Sequence, residues 1–122
     1  LVRRSARLLS SRDAIGIRGG KIMADYTLVV QLEVPEEHDS EFNRLYDGEH
    51  VPNLLSVPGV SNGQRYKLEQ DGNDMLRYLA TYDLESPDIP GSPEWEAKAT
   101  TPGWMGVRQH ISARRRGVFK KM

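Results

Sequence analysis

His50 is the residue of this chain whose type and position best suit chemistry. It falls in a segment with helical spacing, four positions after Tyr46 and three after Asp47, so both side chains can lie beside the imidazole. Imidazole titrates near neutral pH and is the commonest general acid or base in proteins. The same position, just before Pro52, also suits a structural role in which the imidazole caps unsatisfied carbonyls. Both interpretations stay open on these residues alone.

Other side chains could complete a pocket around His50. His110 is expected to open the last strand on the face of Ser112, and an ordinary strand-edge histidine is the alternative. His38, among acidic residues, is expected at the surface. Each of the polar-tipped aromatic and amide side chains can orient a small aromatic substrate or serve packing alone. These candidates are Asn53, Tyr66, Tyr78, Tyr82 and Trp104.

The chain offers little for metal or nucleophilic chemistry. It has no cysteine, and its three histidines lack a close ligand spacing. No phosphate-binding glycine loop precedes a helix, and no G-x-S-x-G segment marks a nucleophilic serine. A Ser-His-Asp arrangement assembled from distant residues stays open. An enzyme of this sequence is therefore expected to use acid–base catalysis, without a metal or a bound cofactor.

Four strands are predicted from alternating apolar residues. In the first strand Leu28, Val30 and Leu32 share one face. In the second, Val60 is expected to share a face with Tyr66. In the third, the shared face carries Leu76, Tyr78, Ala80, Tyr82 and Leu84. The predicted strands cover residues 26–34, 60–69, 75–84 and about 110–119.

Two helical regions separate these strands. The first is predicted over 36–50, with Gly48 and Pro52 marking its end and residues 53–57 allowing one more short turn. The second opens at Ser92-Pro93, where an N-cap precedes proline, and Thr101-Pro102 repeats that pattern. The order β-α-β-β-α-β predicts an α+β, ferredoxin-like fold, an antiparallel four-stranded sheet with both helices on one face. The other face then needs a partner subunit, a ligand or nucleic acid to cover it.

The first helical region resembles that of the EthD-like proteins, members of the dimeric α/β-barrel superfamily. The matching core is Tyr46-x-x-x-His50-x-Pro52, followed by Pro58-Gly59. The segments 82–87 and 92–95 are similar to the third-strand exit and second-helix start of that family, and the resemblance spans residues 26–119. It implies a homodimer in which two sheets face each other as a barrel. Each protomer would keep a small pocket between its sheet and its helices.

The resemblance leaves the activity open, because the superfamily includes monooxygenases, isomerases, cyclases and decarboxylases. We expect a small cofactor-independent enzyme of isomerase, lyase or monooxygenase type, acting on a small hydrophobic or aromatic compound. His50 and Tyr46 are its expected catalytic residues. A non-catalytic small-molecule-binding or accessory dimer is the alternative. The expected substrate-binding residues are His110, Asn53, Asp47, Tyr66, Tyr82 and Trp104.

RNA-recognition domains share this topology and stack bases on aromatic residues of the third strand. Tyr78 and Tyr82 share a face of that strand, and the run Arg114–Arg116 could contact phosphates. However, the stretch 77–82 lacks the motif of those domains. An RNA-binding module is thus a distant alternative, and neither nucleic acid nor a membrane is expected as a partner.

The formal net charge of zero conceals three unlike blocks. Residues 1–23 carry six bases and one acid, a net of +5. Residues 24–107 carry five bases and 16 acids, a net of −11, whereas residues 108–122 carry six bases and no acid. The acidic middle block opposes binding of a polyanion. Charges of the middle and last blocks are expected to pair within the dimer.

The first block is interpreted as a leader outside the folded domain. Its Arg/Ser-rich composition has no sustained strand or helix pattern. A purine-rich tract encoding Arg18–Gly20 would lie where a bacterial ribosome-binding site precedes a start at Met23, and an organellar transit peptide is the alternative. One cytoplasmic domain is predicted over residues 24–122. No apolar run approaches the ~18–20 residues that a membrane span needs.

Overall fold

The computed structural model describes residues 24–122, which form a four-stranded antiparallel sheet with helices against one face. The strands are β1 (Tyr26–Glu33), β2 (Val60–Lys67), β3 (Tyr78–Leu84) and β4 (Ala113–Lys120), in the spatial order β2-β3-β1-β4. The helices are α1 (Asp39–Leu45), α2 (Val51–Leu55), α3 (Pro93–Ala99) and α4 (Pro102–Arg108). The predicted ferredoxin-like α+β fold is confirmed. The predicted leader, residues 1–23 with a start at Met23, lies outside the described residues.

The core lies between the sheet and the helices, because alternate strand residues point toward the helical layer. In β3 the predicted face is buried, with Tyr78, Ala80, Tyr82 and Leu84 all in the core. The helices contribute large aromatic side chains to the same core: Phe42, Tyr46, Trp95 and Trp104. None of the helices described is long or apolar enough to cross a bilayer.

The predicted helix end at Gly48 and Pro52 is wrong, because the helical path continues to Leu55. A π-helical turn, Tyr46–His50, joins α1 to α2, and the Val51 N–H donates to the Tyr46 carbonyl five residues back. In a regular α-helix the Pro52 ring would clash with the carbonyl of Gly48. The wider π turn relieves that clash, and such turns occur frequently at functional sites.

The second strand contains an irregularity that moves its later residues to the other face. The pairing register shifts between Ser61 and Gln64, and Asn62 adopts a φ of 53°. Beyond it, Tyr66 pairs with Leu79, whose side chain lies on the face without helices. The prediction that Val60 and Tyr66 share a face is therefore wrong, because an alternating pattern cannot anticipate an extra residue.

Two strands begin later than predicted, and one cap is as expected. Strand β3 starts at Tyr78, and β4 starts at Ala113 rather than at His110. The His110 N–H donates to the Val107 carbonyl at 2.9 Å, so His110 still belongs to the turn that ends α4.

At the start of α3 the Ser92 hydroxyl accepts a hydrogen bond from the backbone N–H of Trp95 at 3.2 Å, which confirms the predicted N-cap.

Candidate functional site

A cavity of about 100 Å³ lies between the sheet and the helical layer. Its apolar wall is formed by Leu28, Val30, Leu32, Leu54, Trp95 and Trp104. Its polar and charged groups are Tyr46, His50, Tyr82, Glu96 and three arginines. Aromatic walls with a few convergent polar groups are typical of small-molecule sites.

The π-helical turn carries both Tyr46 and His50 into this cavity, with their ring centroids 5.2 Å apart and their planes at 88°. Trp104 of α4 stacks on the imidazole, with a centroid distance of 3.9 Å and an interplanar angle of 14°. Trp104 also meets the Tyr46 ring edge-on at 5.0 Å. The plane of the imidazole is therefore fixed by its contacts with two large rings.

His50 is buried and uncharged at neutral pH. Burial, with a further contribution from the charge of Arg108, lowers the pKa of His50 to about 3. Its Nδ1 is buried and has no hydrogen-bond partner among residues 24–122. A carbonyl-capping role would engage the ring nitrogens, so the free Nδ1 favours the pocket interpretation over the capping one.

Two tyrosine hydroxyls accompany the imidazole. Burial raises the pKa of Tyr46, and burial followed by the proximity of Tyr46 raises the pKa of Tyr82, so both stay protonated. The Tyr82 hydroxyl is buried without a hydrogen-bond partner in the described part of the chain. A buried polar group left without a partner is costly, which makes such groups informative about function.

Glu49 holds Trp104 in place, a role that the sequence did not indicate. Its carboxylate accepts hydrogen bonds from the Trp104 N–H at 3.0 Å and from the Thr101 hydroxyl. Glu49 therefore supplies the cap of α4 that was expected from Thr101, whose own side chain caps no N–H. A Cβ on Gly103 would lie 2.7 Å from Glu49 Oε1, so an alanine at this position would displace the Glu49 carboxylate.

Arg65 supports the site from outside the cavity. Its guanidinium lies 4.3 Å from the centroid of the Tyr46 ring, a cation–π distance. It also donates to Asp47 Oδ1 at 2.9 Å and to Asn43 Oδ1 at 2.8 Å. Asp47, predicted beside His50, is thus paired with Arg65 at the surface and does not line the cavity.

The cavity brings together His50, Tyr46, Tyr82 and Trp104, four of the eight predicted site residues. His110 is outside it and stacks on a half-buried His38, with a centroid distance of 3.6 Å. The placement of His110 on a strand beside the pocket is therefore wrong. Asp47, Asn53 and Tyr66 do not line the cavity either, and Tyr66 lies on the opposite face of the sheet.

The aromatic residues of the third strand are not arranged for RNA stacking. Tyr78 and Tyr82 are only 5% and 1% exposed, because they lie beneath the helices. Stacking of bases on these two tyrosines, one of the grounds for the RNA-binding alternative, therefore finds no support in the described sheet. Within residues 24–122, no three histidine, aspartate or glutamate side chains lie close enough together to hold a metal ion.

The topology and the covered sheet face define a ferredoxin-like domain. No protein-family model matches the chain, and no curated protein is detectably similar to it. Solved structures share its fold. An EthD family protein from Bacillus halodurans superposes with a TM-score of 0.51 at 12% identity, over 80% of this chain and 98% of the other. A dimeric ferredoxin-like protein from an uncultured marine organism gives 0.59 at 12% identity, over 82% and 90%.

A third structure, the heme-degrading MhuD of Mycobacterium tuberculosis with two hemes bound in its active site, gives a TM-score of 0.56 at 16% identity, over 78% of this chain and 93% of the other. The predicted likeness to EthD-like dimeric α/β-barrel proteins is thus confirmed for the fold. Sequence identities this low show a shared fold and do not show a shared activity.

Proposed function

We propose that this protein binds a small hydrophobic or aromatic compound in the cavity beside His50 and acts on it by acid–base chemistry without a cofactor. The observation that supports this most is the uncharged, buried imidazole whose Nδ1 is not used by the fold. Such a nitrogen can accept a proton from a substrate. The protonated hydroxyls of Tyr46 and Tyr82 can donate hydrogen bonds to an oxygen on which negative charge develops.

The low pKa of His50 sets a condition on this chemistry. An imidazole with a pKa of about 3 is a weak base while the cavity is empty. A substrate whose negative charge develops against the ring would raise that pKa. The same low pKa favours the second candidate, a non-catalytic protein that holds its ligand without turnover.

Proton exchange at carbon tests the proposal without knowledge of the substrate. Small aromatic ketones and acids are incubated with the protein in D2O, and loss of the proton next to the carbonyl is followed by NMR. We expect exchange with the wild type, none with His50→Asn, and unchanged exchange with His110→Asn, a matched control outside the cavity. Binding without exchange would favour the non-catalytic candidate. The absence of both binding and exchange for every compound of the panel would contradict the proposal.

We also propose a cytoplasmic homodimer that pairs through the sheet face without helices. Phe119 and Tyr66, 60% and 51% exposed, lie on that face. The structural relatives include a protein described as dimeric. Light scattering at micromolar concentration should give the mass of a dimer, and Phe119→Glu should shift it toward the monomer. A wild-type monomer at that concentration would contradict this part of the proposal.

A further inference from the structure

Three arginines from the C-terminal basic block line the cavity: Arg108, Arg114 and Arg116. The register of β4 on β1 places Arg114 opposite Leu32 and Arg116 opposite Val30, both of which are buried beneath the helices. Arg115, between them, points to the other face. The arginine run 114–116 is therefore divided, with two members beside the cavity and one away from it.

The three cavity arginines differ from the other arginines of the described chain in their partners. Each of the others forms a salt bridge with a carboxylate, namely Arg44, Arg65, Arg77 and Arg115. In residues 24–122 the cavity arginines form none. Glu96 is the only acid among the cavity-lining residues described. Three guanidinium groups against one carboxylate leave the cavity with an excess of positive charge.

Solvent screens part of this charge excess, because Arg114 and Arg116 are exposed, whereas Arg108 is half-buried. Burial, and next the nearby charge of Arg114, lower the pKa of Arg116. Among residues 24–122 these three guanidinium groups have fewer carboxylate partners than charges, so an anionic ligand would complete their pairing. A second cavity of about 260 Å³ shares Arg108, Ile111 and Arg114 with the first, so these two arginines lie where the spaces adjoin. Arg114 is exposed on the edge strand β4, and Arg108 is half-buried at the end of α4, so a solute can reach both.

We infer that the ligand of this cavity is an aromatic or hydrophobic carboxylate, whose acidic group is bound by the arginines and whose apolar part contacts Trp95 and Trp104. The planar guanidinium fork matches a carboxylate with two parallel hydrogen bonds. This inference rests on the proposed function, because it names the substrate class of the same cavity. It also meets the condition set by His50, since an anion there offsets the charge of Arg108.

The two tryptophans of the chain make a direct binding assay possible, because both line the cavity. Benzoate, phenylacetate and cinnamate are titrated with fluorescence detection, alongside the neutral amide of each acid. We expect the carboxylates to saturate the signal and each amide to bind at least about tenfold more weakly, since a hydrogen bond to a charged group contributes more than a neutral one.

Arginine variants separate local recognition from general charge. Arg116→Gln and Arg114→Gln should each weaken carboxylate binding about tenfold or more and leave amide binding unchanged. Arg115→Gln removes the same charge from the same strand on the opposite face, and carboxylate binding should stay within about twofold of the wild type. Arg116→Lys keeps the charge but loses the planar guanidinium fork, so its carboxylate affinity should lie between those of the wild type and Arg116→Gln.

Each outcome decides the inference. Amides that bind as tightly as the acids would overturn it while leaving the proposed function intact. Equal losses for Arg115→Gln and Arg116→Gln would overturn it as well, because they would show a general effect of charge. If neither acids nor amides bind, the inference and the proposed function both fail. Thermal melts of each variant identify losses that come from unfolding.

Discussion

The free energy of unfolding should fall in acid because the imidazole of His50 is buried in the folded protein. The pKa of His50 is about 3 in the folded protein, against an ordinary value of 6.5. The unfolded chain therefore takes up this proton at a higher pH than the folded chain does. Stability contributed by the neutral imidazole is complete above pH 6.5 and is lost as the pH falls toward 3. Between pH 7 and pH 4.5 the loss amounts to roughly 2.5 kcal/mol.

Urea unfolding at a fixed protein concentration, repeated from pH 7 to pH 4.5, measures this loss. The non-titrating variant His50→Asn should lose less stability over that range than the wild type, with the difference approaching about 1.4 kcal/mol per pH unit below pH 6. Tyr46→Phe keeps the histidine and is the control for a change inside the cavity, so its pH dependence should follow the wild type. The other two histidines are common to all three proteins.

Parallel pH profiles for wild type and His50→Asn would refute this reasoning. They would mean that His50 has an ordinary pKa and is therefore solvated in the folded protein. Its ordinary pKa alone would then explain why the imidazole is largely uncharged at neutral pH. The inference that the cavity around His50 is desolvated would fail.

Four further substitutions test the packing of the fold and of the site, each by its free energy of unfolding in urea. Gly103→Ala should cost about 1–2 kcal/mol, because the new methyl group displaces the Glu49 cap, whereas Gly106→Ala, in open space on the same helix, should gain about 0.5–1 kcal/mol. Similar changes in unfolding free energy for Gly103→Ala and Gly106→Ala would contradict a stabilising role of the Glu49 cap. Gly59→Ala should cost about 1–2 kcal/mol because its φ is +88°, and an unchanged free energy of unfolding would exclude that strain. Tyr82→Phe should leave stability within about 1 kcal/mol, since the hydroxyl has no partner in the described residues, and a larger loss would reveal one.

Most of the fold was predictable because local patterns and long-range packing agree. The alternation of apolar residues in β1 and β3 matches the buried faces, and the Ser92 cap forms as its spacing indicates. The π-helical turn was not predictable in this way. Proline at position 52 normally ends a helix, and continuation to Leu55 depends on tertiary packing of α2, which local sequence does not encode.

The candidate site was predictable only where it follows helical or strand spacing. Tyr46 and His50 meet because they are four residues apart on one helical segment, and Tyr82 follows from alternation in β3. Glu49 reaches Trp104 across 55 residues, and no local signal indicates such a contact. His110 was placed wrongly because the end of α4 extends one turn further than the strand pattern suggested.

Histidine NMR provides the most direct test of a ligand site at His50. The chain has three histidines, and His38 and His110 stack on each other outside the cavity as internal references. Protein labelled with nitrogen-15 in histidine is saturated with phenylacetate, and separately with phenylacetamide. We predict that a compound that binds shifts the imidazole signals of His50 and leaves those of the other two unchanged. Shifts confined to His38 and His110, with His50 unaffected by every compound that binds, would contradict the proposed function.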